Sequence, residues 1–384
     1  MKLKNDILGD LSYLESFDSL KGAEFYKRIS QLMCEIHSKI PEQKFNTKKL
    51  ATPVEEREEY FENKNCKRIV MYLMSNGCEW ALKAGNGCTI CGHLAKQRRS
   101  ENPISSKDFI DQFINKYKNI DFKEYPILNL YNNGSILNNN EISTDALFKI
   151  LEMINENKHI KKIVLECRPE FINEKIIQEV KKRIPNKFVE IAMGLEILDD
   201  FYRIVCINKG FKLQQFESAS SIVRKYLNLK CYVLLKPPFL TEKEGVEEAV
   251  RTIKHAFEIG SSTVSLEACT IQEYTVIEFL NDRGHYSTPW LWSIIEVVKR
   301  TAHLGNLVIG MFQFYPAPSN VPYNCEECSQ KVLNAMAEYN RTLEISCFEN
   351  LECKCKEKWK QELDENAIPF AERLTILSDG VNNL

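Results

Sequence analysis

From residue 66 onward the chain alternates short apolar runs with amphipathic helical stretches, and this rhythm leaves few folds open to it. The runs read as strands at 68–74, 126–131, 162–168, 188–194, 230–236 and 262–268. Helical periodicity follows near 106–118, 142–157, 171–183, 199–207 with 213–227, and 243–259. Thr241-Glu242-Lys243-Glu244 supplies a capping box for the last of these. Strand followed by helix, repeated six times, calls for a parallel sheet with helices outside it. Six units are too few to close an eightfold barrel. The expected architecture is therefore α/β, an open or partial (β/α)6 barrel, and such folds gather their chemistry at the C-terminal ends of the strands.

That rule picks out residues strand by strand. The first strand runs into Gly77–His93, where Cys78, Cys88 and Cys91 stand at C-x9-C-x2-C in a loop loosened by Gly77, Gly85, Gly87 and Gly92. Three such thiolates can hold a [4Fe–4S] cluster and leave one iron without a protein ligand. The open iron can chelate the amino and carboxylate groups of S-adenosylmethionine and reduce its sulfonium. A zinc site completed by His93, or three unconnected buried thiols, are the alternatives.

The second strand exits into Asn132-Asn133-Gly134-Ser135, a turn whose glycine lets backbone approach a ligand. On the third, alternation puts Glu166 and Arg168 on one face and Cys167 on the other. A carboxylate and a guanidinium facing into a barrel are costly without a ligand, unless they satisfy each other. The fourth ends at Gly194-Leu195-Glu196, the fifth at Lys236-Pro237-Pro238, and the sixth delivers Glu267 and Cys269. Asn133, Gly134, Ser135, Glu166, Arg168 and Glu196 are thus expected around a cofactor, with Lys236, Glu267 and Cys269 as candidate catalytic groups. For Cys269, hydrogen-atom donation or metal binding competes with plain packing.

The flanks differ in character. Residues 1–60 read as a polar helical segment, with Phe25, Ile29, Met33, Ile36 and Ile40 as one apolar stripe and Cys34 as core filler. Residues 61–310 form the barrel, and 311–384 a C-terminal module. There Cys325 and Cys328 pair at C-x2-C with Cys353 and Cys355 at C-x-C, a four-thiolate set for structural zinc or an auxiliary iron–sulfur cluster. Fourteen cysteines with no secretory leader and no run of about 20 apolar residues suit thiols used as metal ligands in a reducing cytoplasm, away from any membrane. A net charge of −2 gives no global basic footprint, so contact with nucleic acid must use local patches. Lys96, Arg98 and Arg99, Lys181-Lys182-Arg183, and Lys354, Lys356, Lys358 and Lys360 are the candidates.

Several segments together resemble the radical S-adenosylmethionine enzymes, and among them the radical subunits of archaeosine synthase. The matching residues are Gly87-Cys88-Thr89-Ile90-Cys91-Gly92, Asn133-Gly134-Ser135, Arg168-Pro169-Glu170-Phe171 and Ala192-Met193-Gly194-Leu195-Glu196. Cys206–Phe211, Leu235–Glu242, Pro289–Ser293 and the paired C-terminal cysteines continue the pattern. The resemblance implies a partial barrel with a cluster on Cys78, Cys88 and Cys91 and S-adenosylmethionine across the strand ends. It also implies C–N bond cleavage on a lysine-bearing 7-deazaguanine in tRNA, an electron donor such as ferredoxin or flavodoxin, and a partner enzyme that prepares the substrate. Ser265–Thr270 and Cys167 depart from the pattern, which leaves a small metabolite or peptide as the alternative substrate.

Overall fold

A computed structural model of the chain describes residues 20–41, 52–84, 87–93, 104–313 and 316–364, with Phe370 and Arg373. One sheet of eight strands runs in chain order. Its strands are β1 (Val54–Phe61), β2 (Lys64–Tyr72), β3 (Ile127–Tyr131), β4 (Lys162–Glu166), β5 (Phe188–Glu196), β6 (Asn228–Leu235), β7 (Thr263–Ala268) and β8 (Leu307–Ile309). All neighbours are parallel except the β1–β2 hairpin. The six expected strands are β2 to β7.

Two strands were not legible. β1 falls inside the stretch expected to be helical, because its charged run Glu55-Glu56-Arg57-Glu58-Glu59 reads as a solvated helix face. Its pairing with β2 through a two-residue turn decides otherwise. Glu62 and Asn63 both adopt left-handed backbone (φ 51° and 60°), the conformation that matches the twist of a tight hairpin. β8 has only three residues, too few for a periodicity to show.

The helices are α1 (Leu20–Ser38), α2 (Ser106–Tyr117), α3 (Thr144–Glu156), α4 (Glu174–Arg183), α5 (Leu213–Arg224), α6 (Glu242–Glu258), α7 (Val276–Asp282), α8 (Leu291–Thr301), α9 (Ser329–Thr342) and α10 (Cys355–Asp364). The Thr241 box caps α6 as expected, its hydroxyl accepting from the Glu244 amide. The stretch 199–207 is not an α-helix. It contains one π-helical turn, Tyr202–Cys206, around the buried Arg203, which donates to Asp200 at 2.7 Å. No helix of the described residues is long and apolar enough to cross a membrane.

Strand alternation divides the sheet into two chemically different faces. Met71, Leu130, Leu165, Met193, Val233 and Leu266 point outward into the large core under the helices. The inner face holds a small cluster of Val70, Tyr72, Tyr131, Val164 and Ala192. Around it lie the buried charges Glu59, Lys162, Glu190 and Lys230. An apolar exterior shell and a polar lumen invert the usual core of a closed barrel, and they leave room for polar ligands.

The seam between β1 and β8, the two ends of the sheet, is covered by α9. Tyr339 donates its hydroxyl to the Leu307 carbonyl at 2.9 Å. Asn340 accepts from the Ile309 amide and donates to its carbonyl, both at 2.8 Å, pairing an edge strand as a further strand would. Arg341 reaches Glu58 of β1 at 2.5 Å. On another side, α1 buries four of the five expected stripe residues, Phe25, Ile29, Met33 and Ile36, with Phe25 edge-on to Phe239 at 5.1 Å, while Ile40 lies past the helix end. Cys34 is exposed on the opposite face of α1, so it is not core filler.

Candidate active site

At the C-terminal ends of the strands a cavity of about 240 Å³ is lined by Cys78, Cys88 and Cys91 together with Asn133, Gly134, Glu166, Arg168, Gly194 and Glu196. All three cysteines of the spacing pattern, and five of the six expected cofactor residues, therefore converge on one space. The sixth, Ser135, is fully buried just behind it, where its hydroxyl accepts from the Arg168 amide at 3.1 Å.

The cysteine loop is held from two sides. Thr89 and Asn208 bind it to the segment after β5: Thr89 Oγ1 donates to the Cys206 carbonyl at 2.6 Å, and Asn208 Nδ2 to the Gly87 carbonyl at 2.6 Å. Trp80 donates its Nε1–H to the Asn208 carbonyl at 2.8 Å. Its ring lies against Gly210, where φ is +78° and a Cβ would sit 2.2 Å from the indole. From the other side Glu141 accepts four hydrogen bonds. The Glu79 amide (2.9 Å) and Asn138 Nδ2 (3.2 Å) reach Oε1, and the Ser135 amide (2.6 Å) and Asn132 Nδ2 (2.9 Å) reach Oε2. Glu141 thereby ties the residue after Cys78 to the turn that carries Gly134. A Cβ on Gly134 would lie 2.0 Å from the Glu141 carboxylate and 3.1 Å from Cys78 Cα, so only glycine fits between them.

The charged groups are arranged in pairs that leave one carboxylate over. Arg168 pairs with Glu170 at 2.6 Å, donates to the Lys209 carbonyl, and stacks over Trp80 with 5.1 Å to the ring centre. It does not pair with Glu166. Lys209 pairs with Glu196 at 2.5 Å. Glu196 itself has left-handed backbone (φ 66°) at a bulge in β5, a conformation that costs a non-glycine residue about 1–3 kcal/mol. Glu166 has no hydrogen-bond partner for its side chain among the described residues. Burial, reinforced by Glu196, Glu141 and Glu267 and opposed by Lys209, pushes its carboxyl up to about 7.

The three thiols fit an iron–sulfur cluster. Burial pushes each of them up, Cys78 to about 11, a balance that a bound cation reverses. They line a cavity edged by Gly87, Gly134 and Gly194, and added Cβ atoms at the last two would collide with their surroundings. Among the described residues they do not form the tight set, with ligand atoms all within 4.8 Å, that a single ion needs; that set lies elsewhere.

It lies at the C-terminal module, where Cys325, Cys328, Cys353 and Cys355 bring their sulfurs within 4.8 Å of one another. Cys325–Cys328, Cys325–Cys353 and Cys328–Cys355 are each 3.5 Å apart. Zn–S bonds of about 2.3 Å in a tetrahedron put sulfurs a little under 4 Å apart. Trp292 of α8 donates its Nε1–H to the Cys355 sulfur at 3.3 Å, and Cys328 stands at the residue just before α9. The four-thiol site and the seam helix are one unit.

The candidate catalytic groups separate. Glu267 lines a second cavity of about 270 Å³ deeper in the lumen, continuous with the first through Asn133, Glu166, Glu196 and Tyr232. Lys236 lines neither cavity; its ammonium turns back to Glu242 at 2.8 Å and holds the start of α6. Cys269 is buried in the apolar cluster with Val276 and Tyr286. Lys96, Arg98 and Arg99 lie outside the described residues. Glu141, Lys209 and Lys230 were not singled out from sequence, though Lys209 lies in a matching segment.

No family model matches the chain. It is 32% identical over 302 residues to a protein of Methanosarcina acetivorans named archaeosine synthase subunit beta, covering 78% of this chain and 85% of that one. A protein of the same name from Thermococcus kodakarensis is 29% identical over 307 residues, covering 79% and 93%. Among solved structures it is similar to methylornithine synthase, with a TM-score of 0.47 and 13% identity over 98% of this chain and 93% of that chain.

Proposed function

The chain belongs to the family of archaeosine synthase beta subunits, and we propose that it is a radical S-adenosylmethionine enzyme that cleaves a C–N bond on a lysine-modified 7-deazaguanine base of tRNA. The observation that carries the reading is the meeting of Cys78, Cys88 and Cys91 with Gly134, Glu166, Arg168 and Glu196 on one cavity at the strand exits. A [4Fe–4S] cluster with S-adenosylmethionine, when bound, supplies a 5′-deoxyadenosyl radical. The three cysteines would hold the cluster. Gly134 and Gly194 would let backbone approach the cofactor, Arg168 or a backbone nest would meet its carboxylate, and Glu166 or Glu196 would meet its amine or ribose.

Cys325, Cys328, Cys353 and Cys355 hold one zinc ion with a structural role, because sulfurs 3.5 Å apart suit one ion better than a four-iron cube. The relatives' name supports a partner subunit, and radical chemistry of this kind requires an electron donor such as ferredoxin or flavodoxin.

The test is formation of 5′-deoxyadenosine by anaerobically reconstituted protein with lysine-modified tRNA. Strong stimulation by that tRNA, lost when Cys78, Cys88 and Cys91 are changed to Ala together, is expected. Stimulation by a small metabolite or peptide, with none by the tRNA, would overturn the substrate and leave the cofactor chemistry standing.

A further inference from the structure

The floor of the deeper cavity holds more positive charge than it can pair. Glu59, Arg68 and Lys230 line it, with Lys162 and Glu190 close behind, two carboxylates against three cations. Lys162 donates to Glu59 at 2.6 Å and forms an ion pair with Glu190 at 2.7 Å, and Arg68 pairs with Glu59. The remaining oxygen of Glu190 is taken by Thr263 at 2.6 Å and Ser262 at 2.9 Å. Lys230, on the inner face of β6, is only 2% exposed. Its ammonium lines the cavity with no hydrogen-bond partner among the described residues, 5.8 Å from the centre of the Tyr232 ring. An ammonium withdrawn from water with no hydrogen-bond acceptor is poorly compensated. Burial accordingly presses its pKa downward, and an arriving anion reverses that pressure.

The opposite sign stands across the same cavity. Register places Glu166 of β4, Ala192 of β5 and Lys230 of β6 in one row, so Glu166 and Lys230 lie two strands apart, roughly 10 Å at the backbone. The Glu166 carboxyl has no hydrogen-bond partner among the described residues, and Glu267, further along the wall, accepts only from Ser265 at 2.7 Å. A multiply charged anion such as a phosphate would be repelled by these carboxylates. A group that carries one carboxylate and one ammonium matches both ends.

We infer that the lumen is a bipolar subsite for an α-amino-acid moiety, in which Lys230 binds the carboxylate and Glu166 or Glu267 the ammonium. The inference rests on the proposed function only for the identity of that moiety, the lysine arm of the modified base.

The experiment measures binding rather than turnover. Anaerobically reconstituted protein is titrated calorimetrically with L-lysine and with 1,5-diaminopentane, which lacks the carboxylate. L-Lysine is expected to bind at least about tenfold more tightly than the diamine to the native chain. In Lys230→Met the two should bind alike, while Lys230→Arg restores part of the preference. Equal binding of the two ligands by the native chain, a preference that survives in Lys230→Met, or no binding of either would overturn the inference. If Lys230→Met does not fold, the comparison on the native chain decides alone. Retained preference for L-lysine with no response to lysine-modified tRNA would overturn the substrate assignment and leave the subsite intact.

Discussion

Glu141→Gln is a near-isosteric change with a calculable cost. Each oxygen of Glu141 accepts two donors, so an amide nitrogen at either place sets an N–H group against two others. Two hydrogen bonds to a charged acceptor are lost, at about 1.5 kcal/mol each, for a total of about 3 kcal/mol. The loss falls on the tie between Glu79 and the Ser135 turn, beside Cys78, so the cysteine loop loosens with the global structure. Anaerobic urea unfolding followed by tryptophan fluorescence reads the first effect, and iron retained after desalting reads the second. Both should fall together in Glu141→Gln. The reasoning would be refuted by a variant within about 0.5 kcal/mol of the native chain that keeps all its iron. Such a result would mean that burial, which pushes this carboxyl up, leaves it protonated and already amide-like.

Glu166 has a folded-state pKa of about 7 against an ordinary value of 4.5, so the folded chain holds a proton there that the unfolded chain releases. That contribution is complete below about pH 4.5 and is lost as pH rises through 7, about 3 kcal/mol in all as an upper figure. Glu166→Gln should flatten the fall of urea midpoints between pH 5 and 8; parallel slopes in the two proteins would sink this reading. At the C-terminal module, Cys328→Ser with Cys355→Ser should abolish zinc binding and cut the folding yield, since structural zinc contributes about 10 kcal/mol or more in small units. Iron in place of zinc in the native chain, with one cluster more than the triplet can hold, would point to the auxiliary cluster instead. Tyr339→Phe removes a buried hydrogen bond to Leu307 and should cost about 1 kcal/mol, read as a lower urea midpoint; an unchanged midpoint would show that the seam contact carries no weight.

The barrel was legible because alternation and amphipathic period are local signals, and because strand exits concentrate ligands by a general rule. Gly134, Glu166, Arg168 and Glu196 followed from that rule. What escaped depends on partners far away in the chain. Glu141 matters through Glu79, 62 residues earlier, and Lys230 through charges on β1, β2, β4 and β5. Lys236 lies away from both cavities for a local reason. Pro237-Pro238 end the strand as expected, but the turn carries Lys236 to φ 54° and into reach of Glu242 at the helix it precedes.

Every strand pairs with its predecessor in the chain, so the sheet can grow one unit at a time from short loops. Covering the seam is different, because Arg341 and Glu58 are 283 residues apart. Closing a loop of that length costs about 2 kcal/mol more than closing one of about 30 residues, so this step comes late in folding. Until then both ends of the sheet offer unpaired backbone to any neighbouring chain. The five charged side chains of β1 that made it read as a helix also guard that edge against pairing with another molecule while it waits for α9.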